Sequence, residues 1–321
     1  MITKAQLKDF RSSAVDSDGG AISATQIPAT ELAIATGGGA TSITVHDAGG
    51  FVIGNEIIIE AGVNKERRTI TNIAGNVFTL NIGLVNPYPV NTPISTKNAL
   101  LPDVTAQQAN DGLTVFRKFF RRNASPSFTW IDVRTWIPEQ LTNSAISIGF
   151  GLDHADDNTG VQGNMTIFSA NSVTAVVSNG ADTRVVTIVG ENAIGERQTE
   201  TLTLNGATEV VGTLTFSKLY LAFVPTLDGA RTITIRQGAG GITRGTIGVN
   251  SRISFLWFGR MASGGTILNA EGGDITTDIM AIRAGNISAG GNVPIWVRMM
   301  VPTGASASSN NTAHIQIRGE G

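Results

Sequence analysis

An all-β, multidomain fold is what this sequence predicts, on three observations. Short runs rich in β-branched residues recur between glycine-rich turns, the chain is poor in charge and rich in glycine, and two stretches of plain composition interrupt a third that is aromatic and basic. Together they place two small β-barrel or sandwich modules inside a host β-sandwich that is read in pieces, 18–28, 100–163 and 251–321. Residues 1–17 form a short arm with a helical pattern, and residues 29–99 and 164–250 are the inserted modules. Modularity of this kind suits a protein that presents surfaces, and no enzyme is expected.

Composition narrows the classes. A chain of 321 residues with 41% hydrophobic residues holds two or three domains with ordinary cores. Charged residues make up 15% and glycine numbers 38, the balance of a turn-rich β protein that exposes Thr, Ser and Asn. A net charge of -2 supplies no field for nucleic acid or an anionic membrane, so no specific nucleic-acid partner is expected. The absence of cysteine removes disulfides, thiolate catalysis and thiolate zinc sites. The N-terminus lacks the apolar centre of a secretory signal and no run is long and apolar enough to span a bilayer, which implies synthesis in a cytoplasm.

Taken in order, Ile2, Leu7 and Phe10 share one face of a short helix in an arm that docks on a neighbour or on its own domain, with a frayed terminus as the alternative, and the Ser17 to Gly20 segment after it is a loop. In the first module, residues 41–45, 56–60, 67–71 and 76–80 read as strands at the spacing of a small barrel or sandwich. Pro87, Pro89 and Pro93 close it with a stretch that cannot pair continuously. In the second module, Thr199, Thr201 and Thr203 lie on one strand face, with Glu200, Leu202 and Leu204 on the other. Asn205-Gly206 supplies a tight turn, and a further strand pair spans 218–224 and 232–236 with Asp228-Gly229 between. The host is expected to use strands at 116–122, 128–136, 294–300 and 314–318.

Candidate chemistry is thin. His46, His154 and His314 fall in different segments, lack metal-ligand spacing and read as solvent-facing; no Gly-x-Ser-x-Gly or phosphate-loop motif occurs. No cofactor is expected. The segment Asp153-His-Ala-Asp-Asp-Asn158 has oxygen ligands suited to calcium without the EF-hand spacing, and a solvated connecting loop is the plainer reading. In Phe116-Arg-Lys-Phe-Phe-Arg-Arg122, strand alternation puts Arg117, Phe119 and Arg121 on one face and Phe116, Lys118, Phe120 and Arg122 on the other. That pattern predicts a structural or subunit-interface role, with cationic stems covering apolar surface and their heads in water.

Several strings carry a family resemblance: Gly19 to Ile27, Phe116 to Asn123, the strand end at Trp136-Ile137, Ile287 to Arg298 with Val301-Pro-Thr-Gly304 and Asn310-Asn311, and the Val185 to Leu204 stretch. The chain resembles tailed-bacteriophage virion structural proteins. The resemblance implies a virion component associated with the tail or baseplate, with a capsid-decorating or cement protein and a host-surface adhesin as alternatives. It implies other virion proteins as partners, a homo-oligomer such as a trimer, and contact with the host surface. The assembly interface expected on this reading comprises Ile2, Leu7, Phe10, Phe116, Arg117, Phe119 and Arg121.

Overall fold

The computed structural model describes residues 6–14, 20–62, 64–96, 100–102, 104–136, 146–160, 163–168, 170–261, 282–305 and 316–320. The first strands are β1 (Leu7–Ser12) and β2 (Ile22–Gln26). They are followed by β3 (Ala29–Glu31), β4 (Ser42–Thr44), β5 (Glu56–Ala61), β6 (Asn64–Ala74), β7 (Val77–Leu80) and β8 (Pro93–Thr96). A short helix α1 (Ala106–Asp111) precedes β9 (Leu113–Asn123), β10 (Trp130–Trp136) and β11 (Ser147–Leu152). Then come β12 (Ser172–Ser178), β13 (Val185–Glu191), β14 (Arg197–Thr203), β15 (Val210–Phe216), β16 (Lys218–Phe223), β17 (Ile233–Gln237), β18 (Ile242–Ile247) and β19 (Ile253–Phe255). The chain ends through β20 (Phe258–Met261), β21 (Ile282–Ile287), β22 (Asn292–Val301) and β23 (Gln316–Glu320). The architecture is all-β and antiparallel, as the sequence predicts.

Strands β3 to β8 form a six-stranded sheet in the order β3-β8-β5-β6-β7-β4. It curls until a bridge between Leu32 and Val45 joins its two ends, supported by Ala33 N–H donating to Thr44 O at 2.9 Å and His46 N–H to Glu31 O at 3.0 Å. That one bridge brings the two end strands together, which matters for strands this short. Ile57 and Ile59 point inward by alternation and meet Ile43, Phe78 and Ile94 in a hydrophobic cluster separate from the rest of the chain's core. Pro93 begins β8, a position where the missing N–H costs nothing. The chain enters and leaves side by side: Ala29 pairs with Ser95, and Thr96 N–H donates to Pro28 O at 3.1 Å. Asp47 clamps this junction, accepting from Gln26 Nε2 at 2.6 Å and pairing with Lys8 at 3.2 Å. At the far end the 32–41 and 81–92 loops run together. There Glu66 accepts from the N–H groups of Val85 (2.8 Å) and Asn86 (2.6 Å).

Strands β12 to β19 build two four-stranded sheets, β15-β12-β17-β18 and β14-β13-β16-β19. In β14 the predicted alternation holds, with Glu200 and Leu202 buried between exposed threonines, and Gly206 takes φ +59 in the turn that follows. The expected pairing of 218–224 with 232–236 does not occur: β16 and β17 lie in opposite sheets, so the Asp228 turn is a crossover and not a hairpin. Asp228 Oδ1 holds it by accepting from the N–H groups of Ala230 and Arg231, a pattern that serves either connection. The sheet also takes in β19 beyond position 250, and its core is continuous with that of the host.

The host sheet has the order β2-β1-β9-β22-β11-β20, and β21-β10-β23 forms a second, three-stranded sheet. The expected helix at the N-terminus is corrected here: Leu7 to Ser12 is strand, pairing Leu7 with Asn123 and Arg11 with Phe119. The ladders to β9 on one side and β2 on the other pair backbone groups that a short helix would leave largely unpaired, and short isolated helices are marginal. Met1 to Ala5, with Ile2, lie outside the described residues.

Candidate functional site

The residues expected to form one interface are divided by the structure. Leu7, Phe10, Phe116 and Arg117 are half-buried, whereas Phe119 and Arg121 are each only 1% exposed and belong to the interior. Ile2 is not among the described residues. Alternation along β9 is as expected, but the expectation of wet cationic heads is corrected for Arg121 and Lys118, because each has an anionic partner inside. Arg121 makes a two-pronged contact with Asp9 of β1, Nε to Oδ1 and Nη2 to Oδ2 at 3.0 Å each, and donates from Nη1 to Thr135 Oγ1 at 2.8 Å. Its guanidinium therefore ties β1 and β9 to the second host sheet.

The opposite face of β9 carries the most concentrated chemistry. Lys118 and Asp153 form an ion pair whose side chains have no exposed surface. Register creates it: Lys118 lies opposite Trp296 on β22, Trp296 lies opposite Gly151 on β11, and Asp153 follows two residues later on the same face. Asp153 Oδ2 accepts from Trp296 Nε1 at 3.0 Å, and Oδ1 accepts from His154 N–H at 2.7 Å. Lys118 Nζ also donates to the backbone carbonyl of Asp157 at 2.6 Å and lies 5.7 Å from the Trp296 ring. Burial pushes Asp153 up to about 7, against the lowering influence of Lys118, with Asp157 adding a further push upward.

This arrangement corrects the reading of 153–158 as a solvated loop for two of its carboxylates, while Ala155, Asp156 and Asn158 are exposed. Asp153 and Asp157 are buried, and the cation their loop encloses is the lysine ammonium. Among the described residues no group of three or more histidine or acidic side chains is placed to hold a metal. His154 is not fully solvent-facing either: its ring stacks on Phe223 at 3.7 Å and 11°, and burial holds its pKa below the usual imidazole value. His46 is half-buried, and His314 lies outside the described residues.

A second polar site lies on the three-stranded sheet, where Asp132, Arg197, Gly285 and Asn286 line a cleft of about 300 Å³. Asp132 sits at φ +48 and is held there by Arg134 Nε at 2.8 Å and Arg283 Nη1 at 3.1 Å, while its own N–H donates to Asn286 Oδ1 at 3.0 Å. A Cβ on Gly285 would stand 2.9 Å from the Arg197 guanidinium carbon, so glycine is what lets the arginine lie across the cleft. A guanidinium, a carboxylate and a carboxamide around one opening can hydrogen-bond a small polar molecule.

The sequence reading missed the Lys118–Asp153 pair and the cleft. Each joins positions far apart in the chain through strand register, and the only local signal was a charged residue at a position whose neighbours are core. In comparison with known proteins, the chain matches no family model, no curated protein and no solved structure.

Proposed function

We propose that this chain is a structural component of a tailed-phage virion, associated with the tail or baseplate and acting by assembly and surface presentation. The observation that carries the reading is the way the closed barrel is mounted. It leaves and rejoins the host at one place, Pro28 beside Thr96, and its far loops hold exposed apolar residues, with Ile34 61%, Ile82 65% and Val85 76% exposed. Exposed apolar side chains on a polar, weakly charged protein are the ordinary material of protein contacts. The barrel supplies a rigid mount for them, and the host sandwich supplies the attachment to the particle.

A host-surface adhesin is the second reading, supported by the polar cleft around Asp132 and Arg197. Antibody labelling of intact particles by electron microscopy tests both. Label at the tail is the expected result; label on the head would replace the first reading with capsid decoration, and particles without label would refute a virion role. Homo-oligomerisation is part of the same proposal and is read by light scattering of the purified chain.

A further inference from the structure

We propose that Lys118 and Asp153 become covalently joined, Nζ of the lysine and Cγ of the aspartate forming an intramolecular amide with loss of one water. The two side chains are in contact and wholly buried. Lys118 lies on β9 and Asp153 just beyond β11, with β22 between them, so the amide would run across three neighbouring strands over the Trp296 ring.

The site contains the groups such a condensation needs. Lys118 is the nucleophile and Asp153 the electrophile. The N–H of His154, at 2.7 Å from Oδ1, is placed where negative charge develops when a nucleophile adds to Cγ, and the Trp296 indole N–H at 3.0 Å holds Oδ2. A second buried carboxyl is close enough for its charge to act on Asp153: that of Asp157. Its Oδ1 accepts from Thr159 N–H and O–H at 3.3 and 2.7 Å, while its Oδ2 is buried with no hydrogen-bond partner. An unpartnered buried carboxylate oxygen is costly to maintain.

The steps balance without any co-reactant. One ammonium proton passes to Asp153, turning two buried charges into a neutral amine and a neutral acid, a change that a low-dielectric interior favours. The Nζ lone pair adds to Cγ, and the carbonyl electron pair moves onto Oδ1, where it meets the His154 N–H. Asp157 takes a proton from the nitrogen and delivers it to the hydroxyl at Oδ2. The Cγ–Oδ2 bond breaks, water departs, and the pair on Oδ1 returns to restore the carbonyl. An ammonium and a carboxylate have become one amide and one water, with no oxidation or reduction. Exclusion of solvent from the pair opposes the reverse hydrolysis.

Mass spectrometry of the denatured full-length chain tests this directly. The expected intact mass is lower than the sequence requires by one water, and a protease digest should contain a branched peptide linking the segments that bear positions 118 and 153. An unmodified mass, or a water loss that maps elsewhere, overturns the proposal. Lys118→Arg and Asp153→Ala should each restore the full sequence mass. Asp157→Ala, checked for folding by circular dichroism, should retain the water; a variant that forms the amide as fast as the unaltered chain overturns the role given to Asp157. Should the variants fail to fold, the digest of the unaltered chain still decides the bond itself.

Discussion

Replacing Asp9 by alanine should destabilise the host sheet by removing the only carboxylate among the described residues that contacts Arg121. The guanidinium is 1% exposed and makes two bonds of 3.0 Å to Asp9, so the substitution leaves a buried charge with one neutral partner, Thr135. Removing one member of a fully buried pair costs about 3–5 kcal/mol. The Asp9 side chain is 24% exposed, so water partly screens the pair and replaces the lost carboxylate, which lowers the expectation to about 2–3 kcal/mol. With an m value of about 3 kcal/mol/M, the urea midpoint should fall by about 0.7–1 M. Tryptophan fluorescence is a suitable probe, since Trp130 and Trp296 are both buried in the host core. The double variant Asp9→Ala/Arg121→Met removes the orphaned charge and should recover at least half of the loss, because an apolar side chain of similar length fills the same space. A single variant within about 0.5 kcal/mol of the unaltered protein, or a double variant no more stable than the single one, would refute the assignment of β1 to the folded sheet through this pair.

Three other outcomes follow from the same structure. Burial opposes charge on Glu66, but the hydrogen bonds from Val85 and Asn86 outweigh it and hold its pKa below the usual glutamate value. Its stabilisation is therefore present above the unfolded pKa of about 4.3 and lost as pH falls through the folded value, so melting curves between pH 6 and 3, in round figures of about those pH values, should show an acid loss that Glu66→Gln lacks. Replacing residues 29–96 with a short Gly-Ser linker should leave a cooperative thermal transition for the host, since Pro28 and Thr96 are already adjacent; complete loss of structure would show that barrel and host form one folding unit. Gly151→Ala would put a Cβ 2.1 Å from the Phe255 ring, and denaturation should register a loss of about 1–3 kcal/mol, whereas a neutral result would mean that the β19 segment yields easily.

What could be read in the sequence was what neighbouring residues decide. The run from Arg197 to Thr203 alternates strictly and ends at Asn205-Gly206, and its strand and turn follow from period and turn chemistry alone. The barrel strands β4 to β7 were legible for the same reason, whereas β3 and β8 were not, β8 starting at Pro93 within a stretch whose prolines argued against pairing. The first strand was not, because Leu7 and Phe10 fit one helical face, while the deciding contacts come from β9 and from Arg121, 112 positions away. The Asp228 turn shows a related limit: a tight turn marks where the chain reverses, and says nothing about which of two stacked sheets the next strand joins. Lys118 and Asp153 meet only when β9, β22 and β11 are in register, a fact of long-range pairing.

The mounting of the barrel also sets how the molecule bears force. A pull on the far loops reaches the host along two connections, through Thr96 toward α1 and β9 and through Pro28, which continues directly from β2, and β2 is held sideways by β1 alone among the described residues. The contacts of Asp47 with Lys8 and Gln26 must yield before β2 carries the load. On the Pro28 side its few ladder bonds are then the first to give, while β9, β22 and β11 stay in place. The two connections of the barrel are thus unequal, a compliant one ending in an edge strand and a stiffer one running into the middle of the host sheet.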